Sequence, residues 1–176
     1  MESVFSKRIL CLRKTSIGWL LIAKSSKGIC NISLGDTAEQ LLQEFTIRFN
    51  GVQQDINDKA FDHQEISTIV SMVETPRLIK SYRFSLDIRG TAFQRKVWAA
   101  LREMRCGETI SYGELAQRIC MPNAIRAVAH ACARNELALI IPCHRVVRKN
   151  GSLSGYRWGA LRKQILLQRE QQKDCV

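Results

Sequence analysis

The first part of the chain has the apolar composition of β-strands, and in its third such segment Ile29, Ile32 and Leu34 alternate loosely with polar residues. Three such segments are predicted, at residues 4–12, 19–23 and 29–34. The pattern then becomes helical. Asp36-x-x-Glu39 has the spacing of a capping box, in which side chains at the helix start satisfy free backbone N–H groups. We therefore predict a helix from this point to about Phe49.

A second amphipathic helix is predicted near residues 61–73, after a polar stretch at residues 50–58. Its apolar face would carry Ile66, Ile69, Val70 and Val73. Pro76 cannot continue a helix and should end this one. Residues 82–88 have strand composition and would lead out of an N-terminal α/β domain, which we place at residues 1–86.

The second half of the chain has a helical pattern. Thr91-x-x-Gln94 is a capping box that opens a helix closing at Gly107. The apolar face of this helix would carry Phe93, Val97, Trp98 and Leu101. Ser111-x-x-Glu114 is another capping box and opens a short helix over residues 112–119.

A helix-turn-helix is predicted around Pro122, which breaks the chain. Asn123 would cap the next helix, which runs to about Arg134 and carries Arg126 in its first turn. Two short helices joined by a tight turn are the arrangement of many DNA-binding modules. The same pattern also occurs in helical proteins that do not bind DNA, so alone it is weak evidence.

Charge favours a polyanionic partner for the second half. Residues 1–86 hold 11 Lys+Arg and 9 Asp+Glu, whereas residues 87–176 hold 16 and 7. Nucleic acid is the commonest polyanion that basic proteins bind, although basicity alone does not establish it. No apolar run is long enough to cross a bilayer and the N-terminus lacks the apolar stretch of a signal peptide, so we expect no contact with membranes; together with the cysteine pattern below, this favours a cytoplasmic protein.

The seven cysteines indicate a reducing compartment rather than a disulfide framework, because they are odd in number, scattered and without a C-x-x-C pair. They are Cys11, Cys30, Cys106, Cys120, Cys132, Cys143 and Cys175. We interpret Cys11, Cys30 and His63 as structural, and we predict no metal and no cofactor.

The most informative segment is residues 140–147, where Cys143 and His144 stand between branched apolar residues. Burial alone would raise the pKa of a thiol and make it inert, unless a neighbouring base reverses the effect. Adjacent side chains on a strand point to opposite faces. Cys143 and His144 therefore share one site only if the chain turns there, or if a water or a third residue connects them. Pro142 cannot donate to a sheet ladder.

The Pro142-Cys143-His144-Arg145-Val146 motif resembles the O6-alkylguanine-DNA alkyltransferases, which move an alkyl group from guanine in DNA onto one of their own cysteines. Four further segments carry the same resemblance, at residues 89–94, 106–112, 125–128 and 154–159. Together they extend from Arg89 to Glu170 in the order of the family. Residues 156–159 are most similar to the C-terminal half of bacterial Ada, whereas the similarity before Arg89 is loose.

The resemblance implies roles at the reacting centre. Cys143 would be the nucleophile and permanent alkyl acceptor, His144 would take its proton through a bridging water, and Glu170 would orient His144. Tyr112 would crowd the phosphate beside the flipped nucleotide and donate its hydroxyl toward the guanine oxygen. Asn135 would be the hinge between the recognition helix and the active-site turn. Without the family, Glu170 would be a solvated helix-end carboxylate and Asn135 a helix C-cap.

The resemblance also implies how duplex DNA is bound. The target base must leave the stack before the sulfur can reach it, and Arg126 would fill the space it leaves. Tyr156 and Arg157 would form the lid of the base pocket. The bulky Trp158 should narrow that pocket and favour methyl over larger groups. The expected phosphate contacts are Ser111, Thr91, Arg89, Arg95 and Arg118.

Two other function classes fit part of the sequence. A cysteine hydrolase also uses a Cys–His pair, but its His is usually distant in sequence from the nucleophile. A non-catalytic helix-turn-helix regulator or lesion-binding module would keep Arg126 and the basic surface without needing Cys143. One departure from the family concerns the helix-turn-helix: Cys120 stands where the family often has Gly, although Cys tolerates a positive φ poorly.

The sequence is therefore interpreted as an α+β protein in two domains. Residues 1–86 would form a small α/β domain that the resemblance suggests is ribonuclease-H-like. Residues 87–176 would form a mostly helical, winged-helix-like domain that binds DNA and accepts the alkyl group. The protein would be a DNA repair methyltransferase that acts once per molecule. We expect a monomer acting on double-stranded DNA containing O6-alkylguanine, with O4-alkylthymine as a second candidate lesion.

Overall fold

The computed structural model describes residues 7–79, 82–153 and 155–172, and within these ranges it has a mixed α+β fold. The main sheet contains β1 (Arg8–Thr15), β2 (Gly18–Ser25), β3 (Gly28–Gly35) and β4 (Gln54–Ile56). A separate two-stranded ladder contains β5 (Ile110–Ser111) and β6 (Val146–Val147). The α-helices are α1 (Ala38–Arg48), α2 (His63–Glu74), α3 (Ala92–Arg102), α4 (Tyr112–Arg118), α5 (Ile125–Ala133) and α6 (Ala160–Gln171). Residues 4–6 of the first predicted strand and Ser154 of the family resemblance lie outside the described residues.

The main sheet is covered on both faces. β2 pairs antiparallel with β1 and β3, and β4 pairs parallel with the outer side of β1. Leu21 and Ala23 face α1, whereas Leu20 and Ile22 belong to the larger core on the other face. A strand buried on both faces reads as a continuous apolar run, and this explains the unbroken Leu-Leu-Ile-Ala of β2. The three long strands are confirmed where the structure describes them.

The two halves of the chain share one hydrophobic core. The larger cluster joins strand residues such as Ile22 and Ile32 with Val97 and Trp98 of α3 and Leu166 of α6. A backbone bridge also joins the halves, because the Ile32 N–H donates to the Glu136 carbonyl at 2.8 Å and the Ala138 N–H donates to the Ile32 carbonyl at 3.1 Å. The N-terminal sheet therefore packs directly against the segment that leads to Cys143.

Two predicted helix starts are confirmed and two are wrong. The capping boxes at Thr91 and Ser111 are both present. Asp36 does not cap α1, because the Thr37 side chain accepts from the Gln40 N–H at 3.1 Å one residue further on. Asn123 does not cap α5 either. The chain first forms a turn, with the Ala124 N–H bonded to the Met121 carbonyl at 2.9 Å, and Ala124 is the N-cap without a side-chain bond.

Three other predictions need correction. Residues 82–88 form no strand, because pairing is limited to one bridge between Leu86 and Ile29, and the Asp87 side chain accepts from Ser25 and Arg89. The polar stretch at residues 50–58 contains the short edge strand β4, which carries no apolar alternation. The helix that begins after Thr91 ends at Arg102 rather than at Gly107, because the Met104 N–H bonds the Leu101 carbonyl and tightens the chain there.

Among the residues that the structure describes, no helix is long and apolar enough to span a membrane.

Candidate active site

The chain turns at Cys143, where two chemically active side chains follow one another in the sequence. Cys143–Arg145 forms a single turn of 3₁₀ helix, in which the Arg145 N–H donates to the Pro142 carbonyl at 3.0 Å. Cys143 is 6% exposed and His144 is 2% exposed. Of the arrangements that the sequence left open, the structure shows the turn.

The sulfur of Cys143 accepts a hydrogen bond from a buried amide. Asn135 follows the end of α5, and its Nδ2 donates to Sγ of Cys143 at 3.1 Å and to the Ile141 carbonyl at 2.9 Å. Its Oδ1 accepts from the Leu137 N–H at 2.9 Å, so the amide is fixed in one orientation. An N–H group that points at sulfur stabilises the thiolate relative to the thiol.

The electrostatic surroundings of Cys143 are mixed. Burial raises the pKa of Cys143 to about 11, although the Asn135 hydrogen bond and the charges of Lys163 and Arg157 lower it. Lys163 is itself buried, and its Nζ donates to the Val146 carbonyl at 2.6 Å. At neutral pH such a thiol stays protonated unless a base removes the proton, so reaction at this sulfur requires a neighbouring acceptor.

His144 is held in one tautomer by Glu170. Nε2 of His144 lies 2.7 Å from Oε1 of Glu170, and an ionised carboxylate only accepts hydrogen bonds, so Nε2 carries the proton. Nδ1 is buried and has no hydrogen-bond partner among the described residues. In a neutral ring this second nitrogen is the basic one, and it is available to take a proton.

Glu170 is ionised and bound on all sides. Burial would raise its pKa, but hydrogen bonds and charges from His144 and Arg145 lower the pKa of Glu170 to about 2. Arg145 binds both carboxylate oxygens, at 2.9 and 3.0 Å, and the Gly107 N–H donates to Oε2 at 3.1 Å. Gly107 has a φ of +84°, and a Cβ there would lie 3.0 Å from the Glu170 carbonyl oxygen. The site thus depends on glycine at this turn.

The segment at residues 155–159 covers this pair. Tyr156 and Trp158 are buried, and the Tyr156 ring meets His144 and Trp158 edge-on at centroid distances of 6.4 and 5.4 Å. Arg157 lies over the Trp158 ring, and its Nη1 donates to the Asn135 carbonyl at 2.7 Å. The Tyr156 hydroxyl is buried without a hydrogen-bond partner among the described residues.

The helix-turn-helix lies beside the active site and presents an exposed face. α4 and α5 pack together, and Arg126 is exposed in the first turn of α5. Tyr112 is the first residue of α4 and half-buried, and burial together with charge on Cys132 or Cys143 raises its pKa. Cys120 adopts a φ of +60° just after α4, in the conformation that usually favours Gly. His130 is exposed near the end of α5.

An open groove of about 630 Å³ follows the same face. It lies between α4, the start of α5 and the loop after β6, and its lining includes Ser111, Ile125, Arg148 and Lys149. The lining also includes the acidic Glu114 and the apolar Ile110 and Val147, so basic, acidic and apolar groups all border this groove.

Among the described residues no three His, Cys, Asp or Glu side chains converge in a way that could hold a metal ion. Cys11 and Cys30 lie in buried strands, and His63 is exposed at the start of α2.

Known proteins similar to this chain point to one family. The family described as 6-O-methylguanine DNA methyltransferase, DNA binding domain, matches residues 92–172. A methylated-DNA–protein-cysteine methyltransferase of Debaryomyces hansenii is 38% identical over 163 residues, which cover 86% of this chain and 84% of that protein. The structure of Mycobacterium tuberculosis OGT in complex with DNA is 31% identical, with a TM-score of 0.75 and 92% of each chain covered.

The chain belongs to the methylated-DNA–protein-cysteine methyltransferase family. The family predicted from the Pro-Cys-His-Arg-Val motif is thereby confirmed. The bifunctional transcriptional activator/DNA repair enzyme Ada of Escherichia coli is 47% identical over 165 residues, which cover 93% of this chain but 45% of Ada. The chain thus spans less than half the length of the Ada proteins that it matches.

In this methyltransferase-family chain the structure joins the proposed site residues in two pairs, Asn135 with the Cys143 sulfur and Glu170 with His144. Glu170 is 2% exposed, so it is not the solvated helix-end carboxylate that its position suggests without the family. The predicted phosphate contacts lie further out. Thr91 and Arg95 are exposed at the start of α3, and Ser111 caps α4. Arg89 and Arg118 are already paired with Asp87 and Glu108, respectively.

Two residues that the sequence reasoning missed complete the site of this family member. Arg145 stands inside the quoted motif and binds Glu170 through two hydrogen bonds. Lys163 lies two helical turns before Glu170 on the buried face of α6. That face comprises Lys163, Leu166, Leu167 and Glu170. Their spacing of three, four and seven residues places two ionisable groups on an otherwise apolar helix face. That pattern was the available signal for buried functional charge.

Proposed function

We propose that this chain repairs duplex DNA by moving the alkyl group, mainly methyl, of O6-alkylguanine to Sγ of Cys143, once per molecule. The observation that carries the proposal is the buried Cys143 sulfur, which accepts the Asn135 N–H beside a His144 whose Nε2 is bound to Glu170. A saturated carbon requires a soft and strong nucleophile, and a thiolate meets that need.

The protein and the flipped base supply every group that the reaction needs. His144 takes the thiol proton at Nδ1 through a bridging water, and Glu170 stabilises the charged ring. The sulfur forms a bond to the methyl carbon while the bond from that carbon to the guanine oxygen breaks. Tyr112 gives its hydroxyl proton to the departing guanine, and the proton that His144 took from the thiol restores Tyr112, so guanine ends neutral and only Cys143 is changed. The product thioether has no leaving group that water could displace, so the protein is spent.

Binding to DNA would use the helix-turn-helix face. The target base leaves the stack and enters the pocket under Tyr156 and Arg157, while Arg126, exposed at the start of α5, fills the space. Arg95 is exposed near the start of α3 and could approach a phosphate, whereas Thr91 and Ser111 already accept capping bonds and could offer only their hydroxyl hydrogens. Arg89 and Arg118 would contact phosphate only while sharing their charge with Asp87 and Glu108.

We also propose a specific fold for each of the two domains. The β5–β6 ladder and the loop after it stand beside the helix-turn-helix, which supports a winged-helix-like C-terminal domain. The four-stranded sheet flanked by α1 and α2 supports a ribonuclease-H-like N-terminal domain, with the boundary near Asp87. We expect a cytoplasmic monomer.

Intact-protein mass tests the proposed function. The chain is mixed with a slight excess of a duplex containing one O6-methylguanine, and both the protein mass and the DNA base are followed. We expect each protein molecule to gain one methyl group while one guanine is restored. Cys143→Ser should gain none and still bind the duplex. A wild-type protein that binds the lesion tightly without gaining mass would instead be a non-catalytic lesion-binding module.

The pocket under Trp158 predicts a preference for methyl over bulky groups. Trp158 is buried, and its ring packs against Tyr156 and under Arg157, so moving the ring aside would disturb both contacts. We expect Trp158→Ala to raise the rate of benzyl transfer relative to methyl transfer by about tenfold. A larger pocket typically changes discrimination between large and small groups by this amount. Both rates are measured on the same preparation of each protein, so a smaller folded fraction lowers them equally and does not change their ratio. Equal rates for both adducts in the wild type would contradict this account.

A further inference from the structure

Glu136 lies at the centre of a polar cluster that no step of the proposed reaction uses. It directly follows Asn135, the residue whose side chain contacts the Cys143 sulfur. Its carboxylate pairs with Arg48 at the end of α1 and accepts from Nδ2 of Asn31 in β3 at 3.0 Å. Both partners belong to the N-terminal half. Through Glu136, the N-terminal half therefore reaches the segment on which the Cys143 sulfur depends.

The same carboxylate faces the lid of the active site. Nη1 of Arg157 lies 3.6 Å from Oε2 of Glu136 and donates to the Asn135 carbonyl at 2.7 Å. Burial lowers the pKa of Arg157, and the charge of Glu136 raises it again. A guanidinium that is 22% exposed at its side chain needs such a counter-charge to stay in place.

The backbone reinforces this connection. The Glu136 carbonyl accepts from the Ile32 N–H at 2.8 Å, so the peptide beside Asn135 is attached to β3. At the other end of the lid, Arg162 donates to the Trp158 carbonyl at 3.1 Å and to the Ile17 carbonyl at 2.9 Å. The lid is thus fixed to the N-terminal half at both ends, and Glu136 is the acidic member of the first attachment.

We propose that Glu136 is a positioning residue for alkyl transfer, which holds Arg157 over the Asn135 carbonyl and thereby fixes Asn135 against the sulfur of Cys143. The inference rests on the proposed function, because it assigns a role in that reaction. Glu136 touches neither the reacting sulfur nor the base. Its effect would pass through Arg157 and the Asn135 backbone.

The size of the effect follows from geometry. If the charge of Glu136 is removed, Arg48 and Arg157 repel each other across a neutral side chain. Arg157 also loses the ion pair that helps to hold it over the Asn135 carbonyl. A displacement of about 1 Å at a reacting group can cost about 100-fold in rate. A shift transmitted through one backbone carbonyl should cost less, about tenfold at saturating DNA.

Single-turnover methyl transfer at increasing duplex concentration tests the inference. It separates the plateau rate from the concentration that gives half of that rate. We expect Glu136→Gln, which keeps the shape of the side chain, to lower the plateau about tenfold and to change the half-saturating concentration by less than about twofold. The matched control is Glu74→Gln, because Glu74 also joins the two halves through Arg169, at similar exposure and away from the lid.

The outcomes separate this inference from the proposed function. An unchanged plateau for Glu136→Gln, or an equal fall for Glu74→Gln, would overturn the positioning role while wild-type transfer stood. A wild type that transfers nothing would defeat the proposed function itself. If Glu136→Gln does not fold, Arg48→Met decides, since it weakens the same attachment from α1. A plateau lowered about threefold would support the role, and one equal to the wild type would overturn it.

Discussion

Two buried cysteines lie in different regions of this molecule and show what burial alone does to a thiol. Cys30 is in the middle of β3, and Cys143 is in the turn that follows Pro142. Their exposed fractions are 8% and 6%, and burial raises the pKa of each to about 11. Burial therefore acts on both thiols in the same direction.

The direction of their hydrogen bonds is what separates the two thiols. The Cys30 sulfur donates to the Ala23 carbonyl at 3.4 Å, which stabilises the protonated thiol. The Cys143 sulfur accepts from the Asn135 amide at 3.1 Å, which stabilises the thiolate, and His144 follows it in the same turn. A reactive cysteine in this fold is therefore recognised by the donors and bases around it rather than by its exposure.

Removing the charge of Glu170 should make Cys143 behave most like Cys30. In Glu170→Gln the His144 ring is no longer held with its Nε2 protonated. The positive charge that this ring gains when it takes a proton is also no longer stabilised. We expect methyl transfer to slow about 100-fold, as general-base contributions do. Single-turnover transfer on a saturating duplex measures this. A rate within threefold of the wild type would contradict the assigned role of Glu170.

The same substitution gives a pH signature. The pKa of Glu170 is about 2 in the folded protein and 4.5 ordinarily, so its stabilisation is complete above about pH 4.5 and is lost as the pH falls toward 2. Urea unfolding of the wild type and of Glu170→Gln should therefore differ by about 3 kcal/mol at neutral pH. We expect that difference to shrink between about pH 4.5 and pH 2. A constant difference over this range would contradict the low pKa.

Removing the donor to sulfur should sharpen the comparison with a smaller effect. In Asn135→Ala the Cys143 thiolate loses one hydrogen bond, which for a charged acceptor contributes about 1.5–3 kcal/mol. We expect transfer at neutral pH to slow by tenfold or somewhat more, at about 1.4 kcal/mol per factor of ten. The rate should recover partly as the pH is raised. An unshifted pH profile would show that the amide does not act on the thiolate.

The smallest effect is expected at the other thiol. Cys30→Ala removes a buried sulfur that donates to a strand carbonyl, and we expect it to cost about 1 kcal/mol of unfolding free energy. Methyl transfer should remain within twofold of the wild type at a temperature where both proteins are folded. A large loss of transfer with intact stability would mean that β3 takes part in the reaction through Cys30.

Local sequence patterns were sufficient where the structure depends on a few neighbouring residues. The capping boxes at Thr91 and Ser111 satisfy backbone groups within one turn, so their spacing predicts them directly. The same reasoning failed at Asn123, because a turn bonded to Met121 precedes α5. It also failed at residues 82–88, where pairing with β3 is limited to one bridge between Leu86 and Ile29. Such competing contacts come from the folded context.

In the candidate site, too, residues close in sequence were predictable and contacts between distant residues were not. Cys143 and His144 are adjacent in sequence, and the structure places both in one turn after Pro142. Glu170 came from the family resemblance, and its burial against Arg145 and Gly107 depends on how α6 packs. The contacts of Glu136 are still less visible, since they join residues up to 105 positions apart. No periodicity in the sequence reports a pairing of that kind.

The most direct test of the central claim compares both cysteines in one sample. The protein is reacted with a duplex containing one O6-methylguanine and digested, and the peptides that contain Cys143 and Cys30 are quantified. We predict a methyl thioether on Cys143 in proportion to the lesion repaired and none on Cys30. A methyl group on Cys30, or an unmodified Cys143 in protein that has gained a methyl group, would contradict the account.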